Sequence, residues 1–148
     1  MGQKTADPAV DAWKAILGLV GWGGNSAPRF PMVALELDLS PKQLGVLWRL
    51  DPEGPGSPMR SIAKSLYCDA SYVTDLVDRL EERGLIVRTQ DPSDRRVKLL
   101  KLTQQGIELR QKALDRLYDP PAGFERLTPE EQQTLARLLD KASEPVAE

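Results

Sequence analysis

The sequence predicts a mainly α-helical protein that carries one small β-hairpin. Apolar residues recur at helical spacing along most of the chain, and segments rich in proline and glycine separate these stretches. In the second half, two short β-like runs flank a polar turn. With 148 residues, 41% of them hydrophobic and 28% charged, the chain is long enough to bury one core. It contains no apolar run of about 18 residues, so we expect no membrane span.

Two amphipathic helices are predicted within residues 1–39. The first must end at the glycine-rich segment 21–26, because glycine and asparagine there favour a turn. The apolar stripes that predict the two helices are Val10, Trp13, Leu17 and Val20, followed by Phe30, Val33, Ala34 and Leu37.

A third helix has the clearest start in the sequence. Ser40 supplies an N-cap, Pro41 fits the first helical position, and Gln43 completes a capping box. The helix must end before segment 51–56, where two prolines and two glycines prevent its continuation. The proline-rich linker 52–58 also argues against a regular strand at that point.

Residues 59–84 have the pattern of a helix-turn-helix. A short helix is predicted over residues 59–66 and a longer one that ends at Arg83 and Gly84, with a tight turn between them. Two β-like runs follow, at residues 85–89 and 97–102, and the turn that joins them contains arginine. We therefore expect a hairpin with a basic tip directly after the helix-turn-helix.

The last part of the chain is predicted to be helical again. Thr103 can cap one helix, which breaks at the prolines of residues 119–123, and Thr128 can cap the final helix. A small domain made of a helix-turn-helix and one hairpin cannot bury the apolar stripes at both ends of the chain. We therefore expect the terminal helices to form a dimer. The predicted organisation is N-terminal dimerisation helices in residues 1–39, a central lobe in 40–103, and C-terminal dimerisation helices in 104–148, together forming one intertwined domain.

Composition argues against an enzyme. The chain has no histidine and a single cysteine, Cys68, which removes the usual general base and any cysteine-cluster metal site. We predict no catalytic residues, no metal and no cofactor, and we interpret Cys68 as a small buried hydrophobe. Nothing near the start resembles a secretory signal, so a cytoplasmic location is expected.

Charge is unevenly distributed along the chain. The formal net charge is −2, yet residues 79–112 contain nine basic and five acidic side chains, a local balance of +4. Contacts to DNA phosphates need lysine and arginine, so this segment is the candidate DNA-facing surface.

Four motifs in order resemble the MarR family of winged helix-turn-helix transcriptional regulators. They are RSIAKSL at residues 60–66, VTDLVDRLEERGL at 73–85, DPSDRR at 91–96 and LTQQG at 102–106. The resemblance is strong from about Leu39 to Gly106. It implies a homodimeric, sequence-specific DNA-binding regulator, expected to be a repressor, that binds a pseudo-palindromic operator and is released by a small aromatic ligand.

The resemblance also implies which residues contact double-stranded DNA. The start of the recognition helix would reach base edges through Ser71, Tyr72 and Thr74, although Ser71 can instead cap the helix and Tyr72 can pack on the preceding one. In the hairpin, or wing, an extended strand would let the Asp94 carboxylate hold the Arg96 guanidinium for a minor groove. The full predicted set is Arg60, Ser71, Tyr72, Thr74, Arg79, Asp94, Arg95, Arg96 and Lys98.

Some positions depart from the family pattern. Asp75 stands where a basic residue is common, Ala70 offers no phosphate contact, and Tyr67 replaces a frequent glycine. Three acidic residues of this region, Asp75, Glu81 and Glu82, leave open an alternative function. The chain could be a winged-helix module that binds protein instead of DNA. By the same resemblance, the aromatic ligand would bind in a pocket lined by Trp13, Trp22, Phe30, Met32 and Trp48.

Overall fold

The computed structural model describes residues 7–20 and 28–144, and these residues form a mainly helical fold with one small sheet, as the sequence predicts. The elements, in chain order, are α1 (Pro8–Leu19), α2 (Arg29–Glu36), α3 (Pro41–Arg49), β1 (Ser57–Pro58), α4 (Met59–Leu66), α5 (Ala70–Glu82), β2 (Ile86–Gln90), β3 (Lys98–Leu102), α6 (Gln104–Tyr118) and α7 (Pro129–Ser143), with a short 3-10 helix, Ala122–Arg126, before α7. None of the described helices is long and apolar enough to span a membrane.

The chain divides into two compact units, Met1–Leu117 and Tyr118–Glu148. The core of the first unit is built around α5. Val73, Val77 and Leu80 of this helix are completely buried, and they pack in one cluster with apolar residues of α3, α4 and the sheet. Burying one stripe of α5 leaves its opposite face exposed.

The sheet has the strand order β1-β3-β2 and is antiparallel throughout. Residue pairs from Ile86 with Leu102 to Gln90 with Lys98 set the register of the hairpin. The expectation that the linker before the motif forms no strand was wrong, because Ser57 and Pro58 pair with β3. Two residues at the edge of a sheet tolerate a proline, whose missing N–H would be costly only in a central strand.

The predicted helix starts at Ser40 and Thr128 are confirmed. Each hydroxyl accepts the backbone N–H of the residue three positions later, and that residue's side chain accepts the cap N–H in return.

The turn of the helix-turn-helix passes through Tyr67 in the left-handed conformation, with φ of 52°. A tyrosine there costs more than glycine would, but its side chain is 96% exposed, so no packing is disturbed.

Thr103 joins the end of the sheet to α6 and to the end of α5. Its hydroxyl donates to the carbonyl oxygen of Gly84 at 2.6 Å and accepts the N–H of Gly106 at 3.0 Å. Its own N–H donates to the carbonyl oxygen of Leu85 at 3.1 Å. Gly106 lies so close to the chain that a Cβ there would be 1.9 Å from the oxygen of Leu85. The threonine and glycine of the LTQQG motif thus have direct structural roles.

Substitution Gly106→Ala is therefore expected to destabilise the first unit by about 3 kcal/mol, because the backbone must move to admit one methyl group. Urea denaturation at one fixed protein concentration measures the change. Gly123→Ala is the matched control, since a Cβ at Gly123 meets nothing within 4 Å, and it should change the unfolding free energy by less than about 0.5 kcal/mol. Equal effects of the two substitutions would contradict the close approach at Gly106.

Candidate DNA interface

The first turn of α5 presents the predicted base-reading residues to solvent. Ser71 and Thr74 are exposed and Tyr72 is 46% exposed. Asp69 occupies the N-cap position without a side-chain cap bond, so Ser71 lies within the helix and does not cap it. Tyr72 keeps nearly half of its surface accessible, enough for an edge of the ring to meet a partner.

Thr74 already uses its hydroxyl hydrogen. Its Oγ1 donates to the carbonyl oxygen of Ala70 at 2.9 Å, a bond to its own helix backbone. The side chain can therefore offer a base only the oxygen lone pairs or the methyl group, which fits an amino group or the methyl of thymine.

A tight turn at the tip of the wing projects two arginines outward. The N–H of Val97 donates to the carbonyl oxygen of Asp94 at 2.9 Å, which makes Arg95 and Arg96 the central residues of a four-residue turn. The carboxylate of Asp94 accepts the backbone N–H of Arg96 at 3.0 Å. The sequence interpretation let the Asp94 carboxylate hold the Arg96 guanidinium if the strand were extended at this point. Instead, the carboxylate orders the turn, and β3 begins at Lys98.

The base of this turn is also ordered by hydrogen bonds. Asp91 donates its N–H to the carbonyl oxygen of Val97 at 3.0 Å, and its carboxylate accepts the N–H and the hydroxyl of Ser93 at 2.8 and 2.7 Å. These bonds from Ser93 lower the pKa of Asp91 below its ordinary value. The wing tip is thus held in one shape by local contacts.

Three predicted cations converge in a cleft between the wing and the start of α4. Arg60 comes from α4, whereas Arg96 and Lys98 come from the wing, and the cleft has a volume of about 480 Å³. The residues that complete its lining are Pro58, Met59, Ser61 and Val97. Because α4 begins here, the positive end of its dipole adds to the three side-chain charges. Together these features favour an anion such as a phosphate.

Two other predicted cations lie elsewhere. Arg79 is exposed in the last turn of α5, and Arg95, although exposed at the wing tip, is not part of the lining of the cleft. The structure therefore brings together three members of the predicted set and leaves Arg79 separate from them.

A second groove, of about 520 Å³, lies between α2, α3 and the end of α4. Phe30 and Trp48 line it and meet edge to face, with ring centroids 6.4 Å apart. Tyr67 lines the same groove. Of the other predicted ligand residues, Trp13 and Met32 are exposed and do not line this groove, and Trp22 lies outside the described residues.

Sequence reasoning missed an ion network behind the wing. Arg88 of β2 donates its guanidinium to the carboxylates of Asp78 and Glu81, both on α5. Arg88 had been counted among the DNA-facing basic residues, and this pairing removes it from that surface. The sequence does show that Asp78 and Glu81 lie three positions apart, on one face of a helix, and that Arg88 lies on the same face of its strand as Ile86. It does not show that β2 packs against α5, which brings the three side chains together.

Cys68 packs partly buried against the core, and its Sγ lies 3.2 Å from the carbonyl oxygen of Leu66. This agrees with the interpretation of Cys68 as a small hydrophobe. Across residues 7–20 and 28–144, no group of three or more potential metal-binding side chains comes together.

Comparison with known proteins identifies the family. Residues 39–98 match the model of the MarR family. A protein of Bacillus subtilis described as the uncharacterized HTH-type transcriptional regulator YkoM is 36% identical over 112 residues, which covers 72% of this chain and 70% of that protein.

Solved structures agree with this match. The YusO protein from Bacillus subtilis superposes with a TM-score of 0.72 at 28% identity, covering 97% of this chain and all of the other. CouR bound to a 23-mer DNA duplex superposes with a TM-score of 0.61 at 27% identity, covering 97% of both chains. CouR from Rhodococcus jostii RHA1 bound to p-coumaroyl-CoA gives a TM-score of 0.63 at 29% identity, covering 99% of this chain and all of the other. The family model, the match to YkoM and these structures show that the chain belongs to the MarR family of transcriptional regulators.

Proposed function

We propose that the protein is a sequence-specific repressor that binds a pseudo-palindromic operator as a homodimer. The observation that carries the proposal is the cleft in which Arg60, Arg96 and Lys98 converge between the wing and the start of α4. A recognition helix in the major groove and a basic wing on the adjacent backbone need this arrangement of charge. A regulator must be in the same compartment as the DNA that it binds, which agrees with the expected cytoplasmic location.

The predicted residues take different roles in this proposal. Ser71, Tyr72 and Thr74 contact base edges, because they occupy the exposed start of α5. Arg60 and Lys98 bind phosphates at the cleft, and Arg95 and Arg96 extend from the wing tip toward the minor groove or the backbone. We assign Arg79 to a phosphate at the edge of the interface and Asp94 to the shape of the turn.

Charge explains how a protein with a net charge of −2 can bind a polyanion. Two acids of α5, Asp78 and Glu81, share the positive charge of Arg88, so one of their two negative charges is compensated and their repulsion of DNA is reduced. Asp75 remains exposed on α5 and opposes non-specific binding. We therefore expect binding that is selective and strongly weakened by salt.

The terminal helices support a dimer. Val10, Trp13 and Leu19 of α1 are 44 to 59% exposed, and α1 buries none of its residues within one chain. In the second unit, Leu138 of α7 is 55% exposed. Exposed apolar stripes of this kind mark contacts with another chain, and the MarR relatives make a second copy the natural partner.

The aromatic groove is the proposed site of a small effector. Phe30, Trp48 and Tyr67 supply apolar surface, and Lys42 and Arg49 add two cations at the same groove. CouR, which shares the fold, binds the aromatic thioester p-coumaroyl-CoA. We propose that a planar aromatic acid occupies this groove and changes the affinity for DNA.

Substitution Arg96→Ala should weaken binding to the preferred duplex about tenfold and lower the salt dependence of binding by roughly one counterion. Fluorescence anisotropy at two salt concentrations, with duplexes selected from a random pool, measures both. Lys112→Ala is the control, since Lys112 is exposed on α6 and does not line the cleft, and it should leave the affinity within about twofold. If the folded dimer binds no duplex at any salt concentration, the protein-interaction alternative becomes the leading function.

Light scattering coupled to size-exclusion chromatography should give twice the 16.4 kDa mass of one chain. Trp13→Glu, which places a charge on the exposed apolar stripe of α1, should shift the protein toward the monomer. Lys14→Glu changes an exposed position of the same helix that is already polar, and it should leave the dimer intact. A wild-type protein with the mass of one chain would exclude the dimer.

Titration with aromatic acids should change the intrinsic tryptophan fluorescence if the groove binds them. Trp48→Phe should remove most of that change and Trp13→Phe should not, because Trp48 lines the groove and Trp13 does not. A response that follows Trp13 instead would place the effector outside this groove.

A further inference from the structure

Arg88 of β2 joins the wing to the proposed recognition helix, α5, by hydrogen bonds and ion pairs. The side chain of Ile86 at the start of β2 is buried in the core, and Arg88, two positions further, lies on the same face of the strand. Gln90, the next residue on that face, is exposed. Arg88 is therefore the last residue on this face of β2 that is partly buried, and the turn that carries Arg96 extends beyond it.

Arg88 meets α5 through both its side chain and its backbone. The guanidinium donates to the carboxylates of Asp78 and Glu81, which lie one turn apart on the same face of α5. The backbone N–H of Arg88 donates to Oε1 of Glu81 at 3.1 Å, so Glu81 holds the strand itself as well as the side chain. The planar guanidinium fixes both distance and orientation between the two elements, which a single point charge would not.

The arginine of this network is more buried than its two partners. The side chain of Arg88 is 24% exposed, whereas those of Asp78 and Glu81 are 49% and 37% exposed. Burial alone would lower the pKa of Arg88, but the hydrogen bonds and charges of Asp78 and Glu81 raise it above its ordinary value. The arginine thus stays charged, and it compensates two carboxylates that would otherwise repel each other.

The core holds the base of the hairpin, where Ile86, Leu99 and Leu100 are buried. Toward the tip the support is weaker, because β2 lies at the edge of the sheet beside β3, and β1 adds just two residues on the far side of β3. A two-stranded hairpin has little stability of its own, so the part beyond the buried base needs another contact to fix it to the helix. The network of Arg88, Asp78 and Glu81 supplies that contact.

We propose that Arg88 is a positioning residue for DNA binding, which fixes the wing relative to α5 so that Arg96 and the first turn of α5 reach DNA together. Arg88 itself does not touch DNA. The inference rests on the proposed DNA-binding function, and it adds the residue that couples the two DNA-binding elements.

A double-mutant cycle tests this coupling. In the wild type, Arg96→Ala is expected to cost about tenfold in affinity; in the Arg88→Met background it should cost less than about threefold, because the wing is no longer held in place to contact DNA. A role of Arg88 in general stability alone predicts the same tenfold cost in both backgrounds, and that additive result would overturn the proposal.

Arg83→Met is the matched control for the cycle. Arg83 follows α5 and donates to the carbonyl oxygens of Asp38 and Leu37, so this substitution removes an arginine contact of the same region that does not involve the wing. In the Arg83→Met background, Arg96→Ala should keep its full effect. If Arg88→Met does not fold by circular dichroism, Asp78→Asn takes its place in the cycle with the same expected reduction.

The salt dependence of binding separates positioning from direct contact. In the Arg96→Ala background, Arg88→Met should leave the slope of affinity against salt within about half a counterion of Arg96→Ala alone, since Arg88 binds no phosphate. A slope reduced by about one further counterion would show that Arg88 touches DNA, and the proposal would then be wrong.

Hydrogen exchange in the free protein tests the same inference without DNA. The amide of residue 88, whose N–H donates to Glu81 across the contact between the wing and α5, should exchange at least about threefold faster in Arg88→Met than in Arg83→Met, after correction for the intrinsic exchange rate of each side chain. Unchanged exchange would overturn the proposal. Failure of the wild type to bind any duplex would instead remove the proposed function, and faster exchange in Arg88→Met would still show that Arg88 holds the wing.

Discussion

The burial of one face of α5 is the interaction on which the rest of the structure depends. Val73, Val77 and Leu80 are removed entirely from solvent, and each fully buried side chain of this size contributes about 2 kcal/mol. That packing fixes the rotation of the helix about its own axis. It therefore decides that Ser71, Tyr72 and Thr74 face solvent, where a partner can reach them, and that Asp78 and Glu81 face the wing.

The positive surface of this molecule depends on which basic side chains form ion pairs as well as on how many there are. A count along residues 79–112 gives an excess of basic side chains but includes Arg88, which is paired with two acids of α5. The basic surface that remains is smaller and more sharply located, in the cleft lined by Arg60, Arg96 and Lys98. A compact set of cations in one cleft favours selective contact over general attraction to polyanions.

Local chemistry also explains where sequence reasoning about the site succeeded and where it failed. The caps at Ser40, Thr103 and Thr128 form as expected, because a hydroxyl and the N–H groups of the next turn are close in the chain. The wing tip was misjudged, because Asp94 has a nearer partner than the Arg96 guanidinium. Its carboxylate accepts the backbone N–H two residues later, a local bond that competes with any extended strand.

The sequence alone determined the class of the fold, the order of its helices and hairpin, and the family to which the chain belongs. These follow from periodicity, capping residues and motifs that act over a few positions. Only the tertiary structure decided that Ser57 and Pro58 join the sheet, that Arg60 shares a cleft with Arg96, and that Arg88 pairs with α5. The physical reason is that each of these contacts joins residues far apart in the chain, and their distance depends on how the core packs.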